Sequence, residues 1–323
     1  MKKTSSIKLI RTIAEMRAFS EAAAKKKKKV GLIPTMGAFH EGHLSLVKAA
    51  KRFKKRCDLI VVSIFVNPVQ FAPHEDLGQY PRDLEGDMEK LQKIGGVAAV
   101  FAPEAVEMFP SGYKTYVEVD DLSRRLCGRS RSGHFRGVAT VVMKLFNIVQ
   151  PQVAFFGMKD YQQTLIIKKM SRDLNLQVEV EQRPTVRDKE GIALSTRNTY
   201  LTEDQRQTAL ALRRALEVAE KLIVAGERNA SIIVSNMREV IRSQSGIDVD
   251  YISICHPETL ADLEAVEFKT LVALAVRIAR ARLIDNLFVD LVALDKKEKL
   301  RKAKKAAEAK GPGKAVKKGK QRS

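Results

Sequence analysis

Short apolar runs alternate with amphipathic segments through the first half of this chain, and that alternation restricts the fold more than any other feature. Residues 30–33, 59–66, 97–101, 152–156 and 177–181 have the length and the β-branched or aromatic content of strands. Residues 44–55, 83–94, 138–149 and 161–175 carry helical spacing between them. Strand–helix alternation predicts a parallel sheet with helices on both faces, and ligands of such sheets sit beyond the carboxyl ends of the strands. The pattern changes after about Arg183. A long helix over 203–225, opened by Thr202, and a second over 230–242 precede strands at 249–254, 270–278 and 283–291. The expectation is an α/β domain over 1–183 and a smaller α+β domain over 184–295. The N-terminal stretch reads as an amphipathic helix and lacks the apolar core of a signal peptide.

Charge separates a third region. The chain carries +20, but residues 296–323 hold thirteen Lys or Arg against two Glu, a net +11. Such a segment has too little apolar surface to offset its ordering entropy, and is expected to be a disordered basic tail. It could attract polyanions weakly and without sequence preference. No apolar run is long enough to span a bilayer, and Cys57, Cys127 and Cys255 show no disulfide or zinc spacing. A reducing cytoplasm is the expected compartment. A nucleic-acid-binding protein is the competing class, but aromatics are only 6% and no RNA-binding aromatic signature occurs.

The chemistry concentrates in turns. PTMGAFHEGH, from Pro34 to His43, follows a strand and precedes a helix. Its glycines permit close backbone approach, and a strand-to-helix turn aims free N–H groups at an anion. His40 and His43 stand on one side of it. A tight turn with solvated histidines explains the segment equally well in isolation. HEGH is not HExxH, and no further metal ligands at metal spacing accompany it. Asn67, Gln70 and Tyr80 supply uncharged hydrogen-bonding groups after the strand at 59–66. FFGMKDYQQ places Lys159 at a strand-to-helix turn, with Asp160 positioned to cap the helix. LSTRN sets two hydroxyls and Arg197 before a helix, and GRSRSGHFRG adds a cationic loop with His134.

Together PTMGAFHEGH, SIFVNPVQF, EDLGQYPRD, GHFRGV, FFGMKDYQQ, PTVRD and LSTRNTYL resemble the pantoate–β-alanine ligases in order and spacing, with a weaker likeness in VDYISI and RLIDN extending to about Val292. The resemblance implies a Rossmann-like parallel sheet of the nucleotidylyltransferase type, whose HxGH signature matches His40 and His43. It implies ATP along Met36, Gly37, Ala38, Phe39, His40, Glu41, Gly42 and His43, along Gly157, Met158, Lys159 and Asp160, at Val186, and along Leu194, Ser195, Thr196 and Arg197. Pantoate would be held by Gln70 and Gln163, with Gln70 also serving β-alanine, and Asn67, Tyr80 and His134 completing the substrate site. His43 takes the proton-donor role, with His40, Lys159 and Arg197 beside it. Mg²⁺ with unidentified ligands and a homodimer are further implications. The implied chemistry joins pantoate and β-alanine through an acyl-adenylate. Met158 stands where Glu is usual, LSTR replaces MSSR, Phe39 replaces a common Leu, and Cys127 replaces Glu of some members. A cytidylyltransferase or a tRNA synthetase fragment is the related alternative.

Overall fold

The computed structural model describes residues 6–53, 56–73, 75–294 and 296. The basic tail expected over 296–323 lies, but for Lys296, outside the described residues.

The larger sheet is wholly parallel. It contains β1 (Lys8–Ile10), β2 (Val30–Thr35), β3 (Leu59–Ile64), β4 (Val97–Phe101), β5 (Val153–Gly157) and β6 (Glu179–Arg183), in the order β1-β4-β3-β2-β5-β6. Alternate residues feed opposite faces. Leu32, Val61, Ala154 and Phe156 join one core with α1 (Ile13–Lys25), α6 (His134–Val149) and α7 (Tyr161–Asp173). Ile33, Ile60, Val62, Val153 and Phe155 join the other with α2 (Glu41–Arg52) and α3 (Leu84–Ile94). Burial on both faces explains why these strands read as continuous apolar runs. Each fully buried Leu, Ile or Phe contributes about 1.5–3 kcal/mol through removal from water. Two short helices, α4 (Ala105–Met108) and α5 (Cys127–Ser130), lie in the connection between β4 and α6.

The second half forms α8 (Glu203–Val224), α9 (Ala230–Arg242) and an antiparallel sheet of β7 (Ile247–Cys255), β8 (Lys269–Ile278) and β9 (Ala281–Asp290). Its own core unites Leu212, Leu216, Ile233, Met237, Leu274 and Val276. Thr202 and Gln205 close a reciprocal capping box at the start of α8. The chain is thus a Rossmann-like α/β body with a smaller antiparallel sheet domain.

Two local expectations are corrected. The N-terminal stretch is not helical throughout, because Lys8–Ile10 add to the sheet edge beside β4 before Thr12 caps α1. Three residues are too few for a periodicity to register. Asp160 does not cap α7 with its side chain. A single 3-10 turn over Met158–Asp160 precedes the helix, and Asp160 lies 3.6 Å from Lys159 instead.

Candidate functional site

Sequential connections leave the sheet in opposite directions at β2 and β5, which are neighbours through Leu32 and Ala154. That switch point opens a crevice at the carboxyl edge. The segments singled out by sequence follow β3, β2, β5 and β6, four consecutive strands across the sheet. They line a cavity of about 230 Å³ that brings together Met36, His40, Gly42 and His43 with Asn67, Gln70, Tyr80 and His134. Gly157, Lys159, Asp160, Gln163, Val186, Leu194, Ser195, Thr196 and Arg197 complete it. Gly37, Ala38, Phe39, Glu41 and Met158 do not face it. Phe39 is buried in the core, and Glu41 pairs with Lys48 on the surface.

The turn after β2 is held in an unusual backbone path. Gly37 and the non-glycine Ala38 both have positive φ, 83° and 52°. The fully buried carboxylate of Asp87, from α3, accepts hydrogen bonds from the N–H groups of Ala38 and Phe39 at 2.7 and 2.6 Å. Burial pushes the Asp87 carboxyl upward, and those two amides oppose the shift. His40 is the N-cap of α2, its Nδ1 accepting from Gly42 N at 3.1 Å. His43 Nδ1 accepts from His40 N at 3.4 Å, and the two rings stack with centroids 4.1 Å apart. Burial and then Lys159 push the His40 imidazole down to about 4. Burial, His40 and Lys159 take His43 well below its ordinary value. Both rings are therefore neutral near pH 7. Because each Nδ1 accepts, the hydrogen-bond network puts the proton on Nε2, leaving a donor for an anion.

The neutral-amide side is equally constrained. Gln70 ends a 3-10 turn over Pro68–Gln70 and is buried. Its Oε1 accepts from Asn67 Nδ2 at 3.1 Å, and Asn67 Nδ2 also donates to Gly137 O. A Cβ at Gly137 would fall 2.4 Å from Val69 O, so α6 packs its bare backbone against this turn. His134 is not free for substrate. Its Nδ1–H donates to Gln70 O at 2.8 Å, and its Nε2 accepts from Arg131 at 2.9 Å. Burial and the Arg131 charge push it down to about 3. His134 thus positions Gln70. Gln163 lines the cavity with no hydrogen-bond partner among the described residues.

The cationic wall is engaged elsewhere. Arg197 donates from Nε and Nη2 to both oxygens of Asp76, at 3.0 and 2.9 Å, and Tyr200 donates to the same carboxylate. Burial disfavours the Asp76 anion, but the Arg197 contacts hold its carboxyl below the usual range. Arg131 is likewise bidentate to Glu75. The small domain braces this wall. Arg187 pairs with the buried Asp285 at 2.6 and 2.9 Å, and Asn286 Nδ2 donates to the carbonyls of Met158 and Lys159. These contacts account for RLIDN. Asp76 and Asp87 escaped the sequence reading, which had no motif with which to pair either to a turn far along the chain. Among the described residues no cluster of three or more His, Cys, Asp or Glu suits a metal ion, and Asp160 is the only carboxylate lining the cavity.

Comparison with known proteins identifies the family. The family model "Pantoate-beta-alanine ligase" matches residues 8–288. A pantothenate synthetase of Moorella thermoacetica is 51% identical over 285 residues, covering 88% of this chain and 99% of the relative. The crystal structure of the Thermus thermophilus pantothenate synthetase superposes with a TM-score of 0.81 at 44% identity, covering 87% of this chain and 99% of that one. A Francisella tularensis pantoate–β-alanine ligase, described as complexed with beta-gamma ATP and β-alanine, has a TM-score of 0.70 at 30% identity, covering 87% and 97%. With the family model matching residues 8–288, the fold matching a solved member and nearly the full length of these relatives covered, the chain belongs to the pantoate–β-alanine ligase family of enzymes.

Proposed function

We propose that this enzyme condenses pantoate with β-alanine to pantothenate, using ATP through a pantoyl-adenylate and releasing AMP and pyrophosphate. One observation carries the reading: neutral Nε2–H imidazoles, Lys159, Ser195 and Arg197 converge on the same cavity as the amides of Gln70 and Gln163. The first group suits a polyphosphate, the second a small hydroxy acid. In the first step the pantoate carboxylate attacks the α-phosphorus, and the bond to the bridging oxygen breaks with loss of pyrophosphate. A carboxylate is already nucleophilic, so bringing two anions together and stabilising charge must supply the rate. His40 and His43 donate to phosphate oxygens, with His43 the principal donor. Lys159 and Arg197 neutralise developing charge. In the second step the β-alanine amine attacks the acyl carbonyl, AMP departs, and the nitrogen loses a proton.

ATP lies against Met36, His40, Gly42 and His43, against Gly157, Lys159 and Asp160, at Val186 and along 194–197. Gln70 and Gln163 hold pantoate, with Asn67 and Tyr80 shaping that end and His134 acting through Gln70. Asp160, the one carboxylate lining this cavity among the described residues, would be the protein group to hold Mg²⁺, and the ion would supply charge that offsets the phosphates. Residues 1–183 form the ATP- and pantoate-binding domain and 184–295 the smaller domain, with the loop after Arg183 as hinge. We also place a homodimer in the cytoplasm. Three buried free cysteines suit a reducing compartment, and no helix among the described residues is long and apolar enough to cross a membrane. Pantoate-dependent exchange of pyrophosphate into ATP tests the reading. Exchange that is absent, or independent of pantoate, overturns it.

A further inference from the structure

A second cavity, of about 300 Å³, lies between the two domains and shares Arg131, Lys159, Gln163 and Arg197 with the first. Its opposite wall is the turn from β8 to β9, which contributes Arg277, Arg280 and Arg282. Two of these arginines are engaged. Arg282 donates from Nε and Nη2 to Asp250 at 2.9 and 2.6 Å. Arg280 donates to Gln79 Oε1 at 3.1 Å and lies over the Tyr200 ring. The Arg277 side chain has no hydrogen bond or ion pair among the described residues. It stands directly across the ladder from Arg282, and like charges in that position repel. Its neighbour on the other side, Asp248, forms no ion pair with it. A cavity wall that sets two arginines side by side, one uncompensated, suits a multiply charged anion, and the guanidinium fork matches phosphoryl oxygens.

We propose that this cavity is an exit site for inorganic pyrophosphate, with Arg277 as its free cation and Arg280 and Arg282 beside it. The proposal rests on the adenylating reading, because that reaction releases the anion at Lys159 and Arg197, the wall common to both cavities. The carboxylates that also line this cavity, Glu75, Asp76, Asp160 and Asp285, are paired with Arg131, Arg197, Lys159 and Arg187 respectively, whereas Arg277 toward the β8–β9 turn has no such partner among the described residues. Held there, pyrophosphate is parted from the acyl-adenylate while β-alanine enters. The same chemistry could come from the β- and γ-phosphates of bound ATP, so the test separates the two.

The experiment is steady-state ATP–pyrophosphate exchange with the full chain, with Arg277→Ala and with Arg277→Lys. In Arg277→Ala the KM for pyrophosphate should rise about tenfold, equivalent to about 1.4 kcal/mol, while the KM values for ATP and pantoate stay put. Arg277→Lys should recover part of the loss, and product inhibition by pyrophosphate in the forward direction should weaken in parallel. Arg277 is exposed near a strand end. A thermal melt verifies folding of the alanine variant, and the lysine variant carries the test if alanine proves unstable. An unchanged KM for pyrophosphate overturns the proposal. So does an equal rise in the KM for ATP, which would assign the cavity to the bound triphosphate. Loss of pantoate-dependent exchange in the unsubstituted enzyme is a different result, and removes the adenylating reading together with the exit site.

Discussion

The histidine turn and the arginine wall face the same cavity but are prepared differently. At the turn, Asp87 fixes the backbone, each Nδ1 is satisfied by an amide, and both Nε2 protons remain available. No partner must be displaced before an anion binds. At the other wall Arg197 is spanned by Asp76 and Arg131 by Glu75, adjacent carboxylates on one loop. A polyphosphate there meets guanidinium groups that are already shared with those carboxylates. Preorganised donors cost no rearrangement at the moment of reaction, whereas paired charges trade one partner for another. One wall thus favours rate, and the other makes charge stabilisation conditional on the ligand.

The largest effect should come from the prepared wall. His43→Ala should reduce pantoate-dependent exchange by about 10²–10³-fold with the fold retained, since one preorganised donor is lost. Near-normal exchange in a folded variant would make the turn a structural feature only. Gln70→Ala should be next, raising the KM for pantoate by about tenfold through loss of a matched amide worth roughly 1–3 kcal/mol, with the KM for ATP little changed. Equal damage to both substrates would mean that the 3-10 turn had collapsed.

Asp76→Asn probes the conditional wall and should act in the opposite direction. Weakening the resident counter-ion should lower the KM for ATP by about threefold, since a hydrogen bond to a charged group contributes roughly 1.5–3 kcal/mol and ATP recovers only part of it. Arg197→Ala should raise it. A higher KM in Asp76→Asn would show that the ion pair holds Arg197 in place for ATP.

Protonation affects the two regions unequally. His40 and His134 have folded-state values of about 4 and about 3, below the 6.5 of the free side chain. The unfolded chain therefore binds more protons below 6.5, and their contribution to stability is full above that pH and is lost as pH falls through the folded values. Melting temperature should decline from about pH 6.5 downward, and the decline should be shallower in His134→Gln. An unchanged profile would mean that burial of His134 carries no proton linkage. The smallest effect belongs to deletion of residues 296–323, which should leave turnover unchanged while retention on a polyanion column falls. Loss of synthesis would place the tail in the active site or the dimer.

The sequence by itself determined the elements that rest on local periodicity and on turn chemistry. Both faces of β3 are buried, so its apolar run was readable without knowing its neighbours. Thr202, with Glu203 and Asp204 behind it, announces α8, and the segments following β2, β3, β5 and β6 could be placed at one sheet edge because a parallel sheet permits only that. Tertiary structure decided what no short window contains. The three residues of β1 become a strand only because β4 offers them an edge. Phe39, inside the most telling segment, turns into the core, and His134 hands both nitrogens to the protein. Asp87 reaches back to Ala38 and Asp76 forward to Arg197, across 49 and 121 residues. Their roles depend on which elements pack together, and periodicity carries no information about a carboxylate whose partner lies that far along the chain.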